Sequence, residues 1–125
     1  MNVRLQELEH HYGPRVHLVS HPLMLSWLAK LCAPETHQPL IEELITRVYT
    51  SLFHAVVNSQ FPIKQVESMT RMAEFHPKEG YYRGTVVDPS TRAVTVNLAR
   101  AGTIPSAIVY RELNYLLNPE GVRQD

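Results

Sequence analysis

The chain has 125 residues, 44% of them apolar, which suits one domain with a packed core. Twelve basic residues balance twelve acidic ones, which argues against long-range steering toward nucleic acid or an anionic membrane, so any anion site must be local. The single cysteine, Cys32, excludes an intrachain disulfide and fits a reducing compartment.

The first residues, MNVRLQELEHHYG, are polar and carry no apolar signal-peptide core. No apolar run approaches the length of a membrane span. The expectation is a soluble, cytoplasmic protein. Residues 3–11 read as a short helical turn ended by Pro14. RVHLV, residues 15–19, reads as extended. His21-Pro22 then opens a helix, because proline suits the first helical turn. Leu23, Leu25, Trp27, Leu28 and Leu31 make residues 22–32 a largely buried short helix. APETH, residues 33–37, breaks it.

The clearest periodicity runs from Gln38 to about Ser59. Apolar residues fall at Leu40, Ile41, Leu44, Ile45, Val48, Leu52, Ala55 and Val56, the period of an amphipathic helix with this stripe as core. Glu42 and Glu43 near its start favour the macrodipole. Phe61-Pro62 closes it. Residues 63–72 and 81–87 partly alternate and form two strand candidates, joined by EFHPKEG, in a hairpin or arm. DPSTR, residues 88–92, is a turn in which Asp88 bonds backbone amides and Pro89 presets φ.

AVTVNLA, residues 93–99, is the best strand. Its β-branched content predicts burial on both faces, as in a parallel sheet. A helix follows over 103–117, and the tail EGVRQD is polar. A strand and one helix make half of a βαβ unit. The expectation is that the chain dimerises through that region or is part of something longer.

Arg100 sits at the carboxyl end of this strand, where open α/β sheets bind ligands. Thr103 is a candidate N-cap and Pro105 fits the first turn. The amides around residues 101–104 would then face outward at the positive end of the helix dipole. Gly102 would let the backbone approach an anion, and Arg100 would add paired planar donors suited to phosphate oxygens. The other reading is an ordinary strand-to-helix turn with Arg100 paired to a carboxylate.

Other candidates are weaker. His10, His11, His17 and His21 cluster early, but no Cys, Asp or Glu set has ligand spacing, so they read as solvated or capping side chains. Cys32 follows an apolar helix and reads as a buried thiol. Tyr81, Tyr82, Arg83 and Lys78 mix aromatic and basic groups, which is better read as an amphipathic hairpin than as a base-stacking patch. Arg71 and Arg83 would face each other across the hairpin. Trp27 is core or interface.

VHLVSHPLMLSWLAKL, residues 16–31, resembles the opening of the uracil phosphoribosyltransferase family. The match is Val16, His17 and His21-Pro22-Leu23, followed by a longer helix corresponding to residues 39–58. The family later has a strand ending in Leu-Arg-Ala-Gly, and Leu98-Ala99-Arg100-Ala101-Gly102 carries that Arg-Ala-Gly here. The resemblance implies an α/β fold: the N-terminal part of a phosphoribosyltransferase-like fold, with leading helices, a β-hairpin arm and a core strand-loop-helix unit. Residues 1–125 would form a single partial domain. Family members join uracil to phosphoribosyl diphosphate, giving UMP and diphosphate, usually with Mg2+ accompanying the diphosphate. By this resemblance Arg100, Ala101, Gly102 and Thr103 form the diphosphate loop. No protein ligand to Mg2+ and no catalytic residue is identified.

The family's Asp-Pro-Met-Leu-Ala-Thr-Gly-Gly type of loop for the ribose 5-phosphate does not occur here. Nor does its Gly-Asp-Ala segment for uracil. Asn97 stands where the family usually has proline, and TIPSAIVY differs from its helix start. The expectation is therefore an N-terminal portion that binds phosphoribosyl diphosphate or diphosphate without catalysis of its own. A second expectation is a non-catalytic dimeric binding or assembly module on the same fold. A plain α+β domain with a salt-bridged Arg100 is the third.

Overall fold

The computed structural model describes residues 4–125: three helices and two small sheets in a mixed α/β arrangement. The N-terminal segment is extended, not helical. Leu8 N–H donates to Leu18 C=O and Ser20 N–H to Gln6 C=O, both at 2.8 Å, and Glu7 bridges Val19 antiparallel. The expected turn over 3–11 fails across 4–11 for a simple reason. One isolated helical turn is costly to nucleate, whereas residues 15–19 offer extended backbone partners. Residue 3 lies outside the described residues.

Helix α1 (Pro22–Leu31) begins with proline, whose missing N–H forfeits no helical bond there. Its expected burial is corrected. Met24 is its buried residue, while Leu23, Leu25 and Leu28 are exposed. The reason is position: α1 packs chiefly against one neighbour, α2, so most of its circumference stays open. Cys32, at the C-cap, is exposed rather than buried.

Helix α2 (Leu40–Gln60) is the predicted long helix, starting two residues after Gln38 because Pro39 takes the N-cap. Gln38 Oε1 accepts the Glu42 N–H at 3.2 Å, and Glu42 and Glu43 occupy the first turn. The helix lies between α1 and a third helix, α3 (Thr103–Leu116). Leu44, Phe53, Ala55 and Val57 are buried, but Leu40, Leu52 and Val56 stay more than a third exposed. The buried face is thus turned toward Phe53 and Val57, where α3 packs.

Strands β1 (Ile63–Met69) and β2 (Tyr81–Val87) form the predicted hairpin, in register from Ile63↔Val87 to Met69↔Tyr81. β1 ends before residue 72 because the chain curls. Ala73 N–H donates to Thr70 C=O, and the Phe75 and His76 amides both donate to Met72 C=O. Arg71 lies in this curl, so it does not face Arg83. The register sets Glu67 opposite Arg83, and the two form an ion pair at 2.9 Å. Gly80 closes the tip. A Cβ there would stand 2.3 Å from Ala73 Cα, so only glycine fits. Val87 and Phe61 anchor the hairpin base on the core; beyond it the two strands contact chiefly each other.

The turn at 88–91 forms as its residues predict. Asp88 Oδ1 accepts Ser90 N–H at 2.9 Å and Ser90 O–H at 2.7 Å, which holds the carboxyl below its ordinary value of 3.8. Asn118 N–H donates to Pro89 C=O at 2.8 Å, tying this turn to the end of α3.

Strand β3 (Ala93–Thr95) then pairs in parallel with β4 (Val122–Gln124). Four expectations are corrected here. The tail is not merely polar: a short 3-10 turn over Pro119–Gly121 redirects the chain, and Val122 is buried as a strand residue. The βαβ unit that seemed half complete is closed by three residues. The strand read over 93–99 is regular only over 93–95, because from Leu98 the chain turns and Leu98 C=O accepts the Gly102 N–H at 2.8 Å. It is also not buried on both faces. Thr95 is buried on the side of α3, while Val94, Val96 and Leu98 are exposed. The core gathers Phe53, Val57, Leu113, Leu117 and Val122, from α2, α3, the residue after it and β4. Each such side chain contributes roughly 1.5–3 kcal/mol on burial. Among the described residues, no helix is long and apolar enough to cross a membrane.

Candidate anion-binding loop

Residues 97–104 carry the chain from the end of β3 into α3. The Ala99–Arg100 peptide bond is cis. Gly102 N–H donates to Leu98 C=O at 2.8 Å, and Thr103 N–H donates to Arg100 C=O at 3.1 Å. Ser106 N–H then reaches Gly102 C=O at 2.9 Å and starts the helical ladder. The loop is therefore closed on itself by its own backbone.

This geometry changes three expected roles. Gly102, not Thr103, is the N-cap of α3, and no side chain caps the helix. Thr103 is the first helical residue, and its Oγ1 accepts a hydrogen bond from Asn97 Nδ2 at 3.3 Å. The glycine is needed for a different reason. Its φ of −79° is open to any residue, but a Cβ would lie 2.7 Å from Leu98 C=O and 3.1 Å from Asn97 Oδ1. The absent side chain makes room for the strand end, not for a ligand. The outward amides are also fewer than four. Those of Gly102 and Thr103 are used internally, and those of Ala101 and Ile104 have no partner among the described residues.

Arg100 is exposed, and it forms no ion pair among the described residues. The alternative in which it pairs with a carboxylate is not seen there. Arg100 brings five guanidinium donors to the loop three residues before a 14-residue helix, whose start is the positive end of its dipole. This donor set suits an anion. It does not suit Mg2+, since the loop brings no carboxylate. Asn97 Oδ1, buried without a partner among the described residues, is a lone carbonyl oxygen and no cage for the ion.

Asn97 was legible only as a departure from a family pattern. Its bond to Thr103 spans six positions across a loop, which no local signal announces. The early histidines act on backbone and carboxylate groups. His10 Nε2–H donates to Val16 C=O at 2.7 Å, His17 Nδ1 meets Glu7 Oε1 at 2.6 Å, and His21 Nε2 accepts Gln6 N–H at 3.5 Å. Among the described residues no three His, Cys, Asp or Glu side chains are grouped to hold a metal. Arg83 lies over the Tyr81 ring at 5.6 Å, so this aromatic-basic pair is occupied within the hairpin. A separate open hollow of about 470 Å3 lies between α1 and α2, where Arg47 stands 5.0 Å over the Trp27 ring.

No protein-family model matches the chain, and no curated protein matches it.

Proposed function

We propose that this chain binds the diphosphate group of phosphoribosyl diphosphate, or diphosphate itself, through Arg100 and the Ala101–Thr103 loop. The reading takes the chain as resembling the N-terminal portion of a cytoplasmic uracil phosphoribosyltransferase-like fold. The observation that carries it is Arg100 in the loop between β3 and α3, without an ion pair among the described residues, next to the Ala101 and Ile104 amides, which have no partner there either. In transfer from phosphoribosyl diphosphate, negative charge grows on the leaving diphosphate. A guanidinium and neighbouring backbone amides would stabilise that charge as it forms. Mg2+, where present, would travel with the diphosphate oxygens and supply further neutralisation there. Groups for the 5-phosphate and for uracil do not occur among these motifs, so the activity proposed for this chain is binding, and transfer belongs to a fuller site.

Calorimetric titration of diphosphate and phosphoribosyl diphosphate into the protein and into Arg100→Ala tests this. Binding is expected to weaken by at least about tenfold in the variant, as loss of a charged donor implies. Equal binding by the two proteins, or binding by neither, would falsify it.

A second reading, a non-catalytic assembly module, is favoured by a separate observation: the exposed apolar row Val94, Val96 and Leu98 beside the loop. The two readings part on self-association, read by light scattering: the dimeric binding or assembly module requires it, and diphosphate binding does not.

A further inference from the structure

β3 has a partner on one edge. Asp125 N–H donates to Thr95 C=O and Asn97 N–H donates to Asp125 C=O, both at 2.9 Å. Backbone groups alternate in direction along a strand. The amides and carbonyls of Val94 and Val96 therefore point to the open edge. The side chains alternate too. Val94, Val96 and Leu98 are 53%, 68% and 77% exposed, whereas Thr95 between them is 8% exposed. An open edge beside three large apolar side chains is a template for another strand.

The charges at the ends of this row decide what fits. Arg92 and Arg100 flank it, both exposed and without an ion pair among the described residues. Glu120 shares a hollow with Arg92 but forms no ion pair with it. Arg123, the register partner of Val94, is bound to Asp125. A second copy laid antiparallel along this row would bring Arg92 of each copy toward the loop that carries Arg100 in the other, and so gather like charges. Like charges brought together without a counter-ion oppose such a pairing. A segment with apolar residues at its centre and carboxylates at its ends meets both cations and covers the row.

We propose that the open edge of β3 accepts an extended apolar segment of another polypeptide with acidic residues at its ends. This inference does not rest on diphosphate binding, and its test is read separately.

The probes are two fluorescent synthetic peptides of alternating Val and Thr, one with Glu at both ends and one with Lys. Anisotropy is measured with the wild-type protein, Leu98→Lys and Arg92→Glu, all checked for folding by circular dichroism. The Glu-ended peptide is expected to bind, and the Lys-ended peptide to bind at least about tenfold more weakly. Salt should narrow that gap. Leu98→Lys should lower affinity for the Glu-ended peptide by at least about tenfold, and Arg92→Glu should move preference toward the Lys-ended peptide. Equal binding of both peptides, binding of neither, or indifference to both substitutions overturns the proposal. So does a dimer of the protein alone, seen by light scattering, that Leu98→Lys dissolves, because the occupant would then be a second copy.

Discussion

Ala93 and Val122 stand as parallel partners across 29 positions of chain, and this pair turns a polar tail into a strand. Val122 is buried against Leu113, Leu117, Phe53 and Val57, with Ala93 packed on the same cluster. The tail is therefore part of the core. Val122→Ala should cost roughly 2 kcal/mol, from lost transfer energy and the cavity left behind. Val122→Asp should cost more, since a carboxylate would be buried without a partner. Urea unfolding checks both, and a surface-like change under about 0.5 kcal/mol would contradict the pairing.

Gly102→Ala tests the close approach within the loop. The backbone angles tolerate alanine, so any loss comes from the Cβ meeting Leu98 C=O at 2.7 Å. Overpacking of this kind costs typically about 1–3 kcal/mol. Stability should fall by that order, and diphosphate binding should weaken with it, because the displaced segment carries Arg100. An alanine variant with an unchanged melting temperature would show that the loop yields freely.

Asp88 makes stability depend on pH in the acid range. Hydrogen bonds from the Ser90 hydroxyl and amide, aided by Lys64, hold its folded value below 3.8. The folded state therefore favours the ionised form. The stabilisation is present above the ordinary carboxylate value and disappears as pH falls through the lower folded one. In Asp88→Asn, the stability difference from wild type should shrink on acidification below pH of about 4. A constant difference down to strong acid would remove the carboxylate from the account.

Glu67 and Arg83 meet in the open. Both side chains are more than half exposed, so solvent screens the pair. A double-mutant cycle with Glu67→Ala and Arg83→Ala should give a coupling under about 1 kcal/mol. A larger value would mean that the hairpin is covered in solution.

Cys32 ends α1 on the surface. A maleimide reagent should modify it in the folded protein without denaturant, at a rate close to that in urea. Protection that is relieved only by unfolding would place the thiol inside.

The long helix and the hairpin were legible in the sequence because local rules govern them. Hydrophobic period and the closing Phe61-Pro62 placed α2 to within about two residues at its ends, and Asp88-Pro89-Ser90 made its turn as written. The helix from Thr103 was also legible. Its cap was not, because Gly102 was chosen by a clash with Leu98 C=O that arises only when the loop closes. Arg100 stood out as a cation at a strand end. That it has no carboxylate partner among the described residues could not be read, since any of twelve acidic residues was a candidate.

Packing explains the remaining differences. Periodicity marks α1 as apolar, but burial depends on neighbours, and α1 has chiefly one. The β-branched content of AVTVNLA marks a strand and predicts cover on both faces, but the strand is covered on the α3 side and open on the other. EGVRQD has one apolar residue, too little for any pattern, yet Val122 lands beside Ala93 once α3 brings the chain back. Local backbone preference and periodicity thus settle which segments form elements and where a cation can meet a helix start. Which faces are covered depends on contacts between residues far apart in the chain, and no local window of sequence contains them.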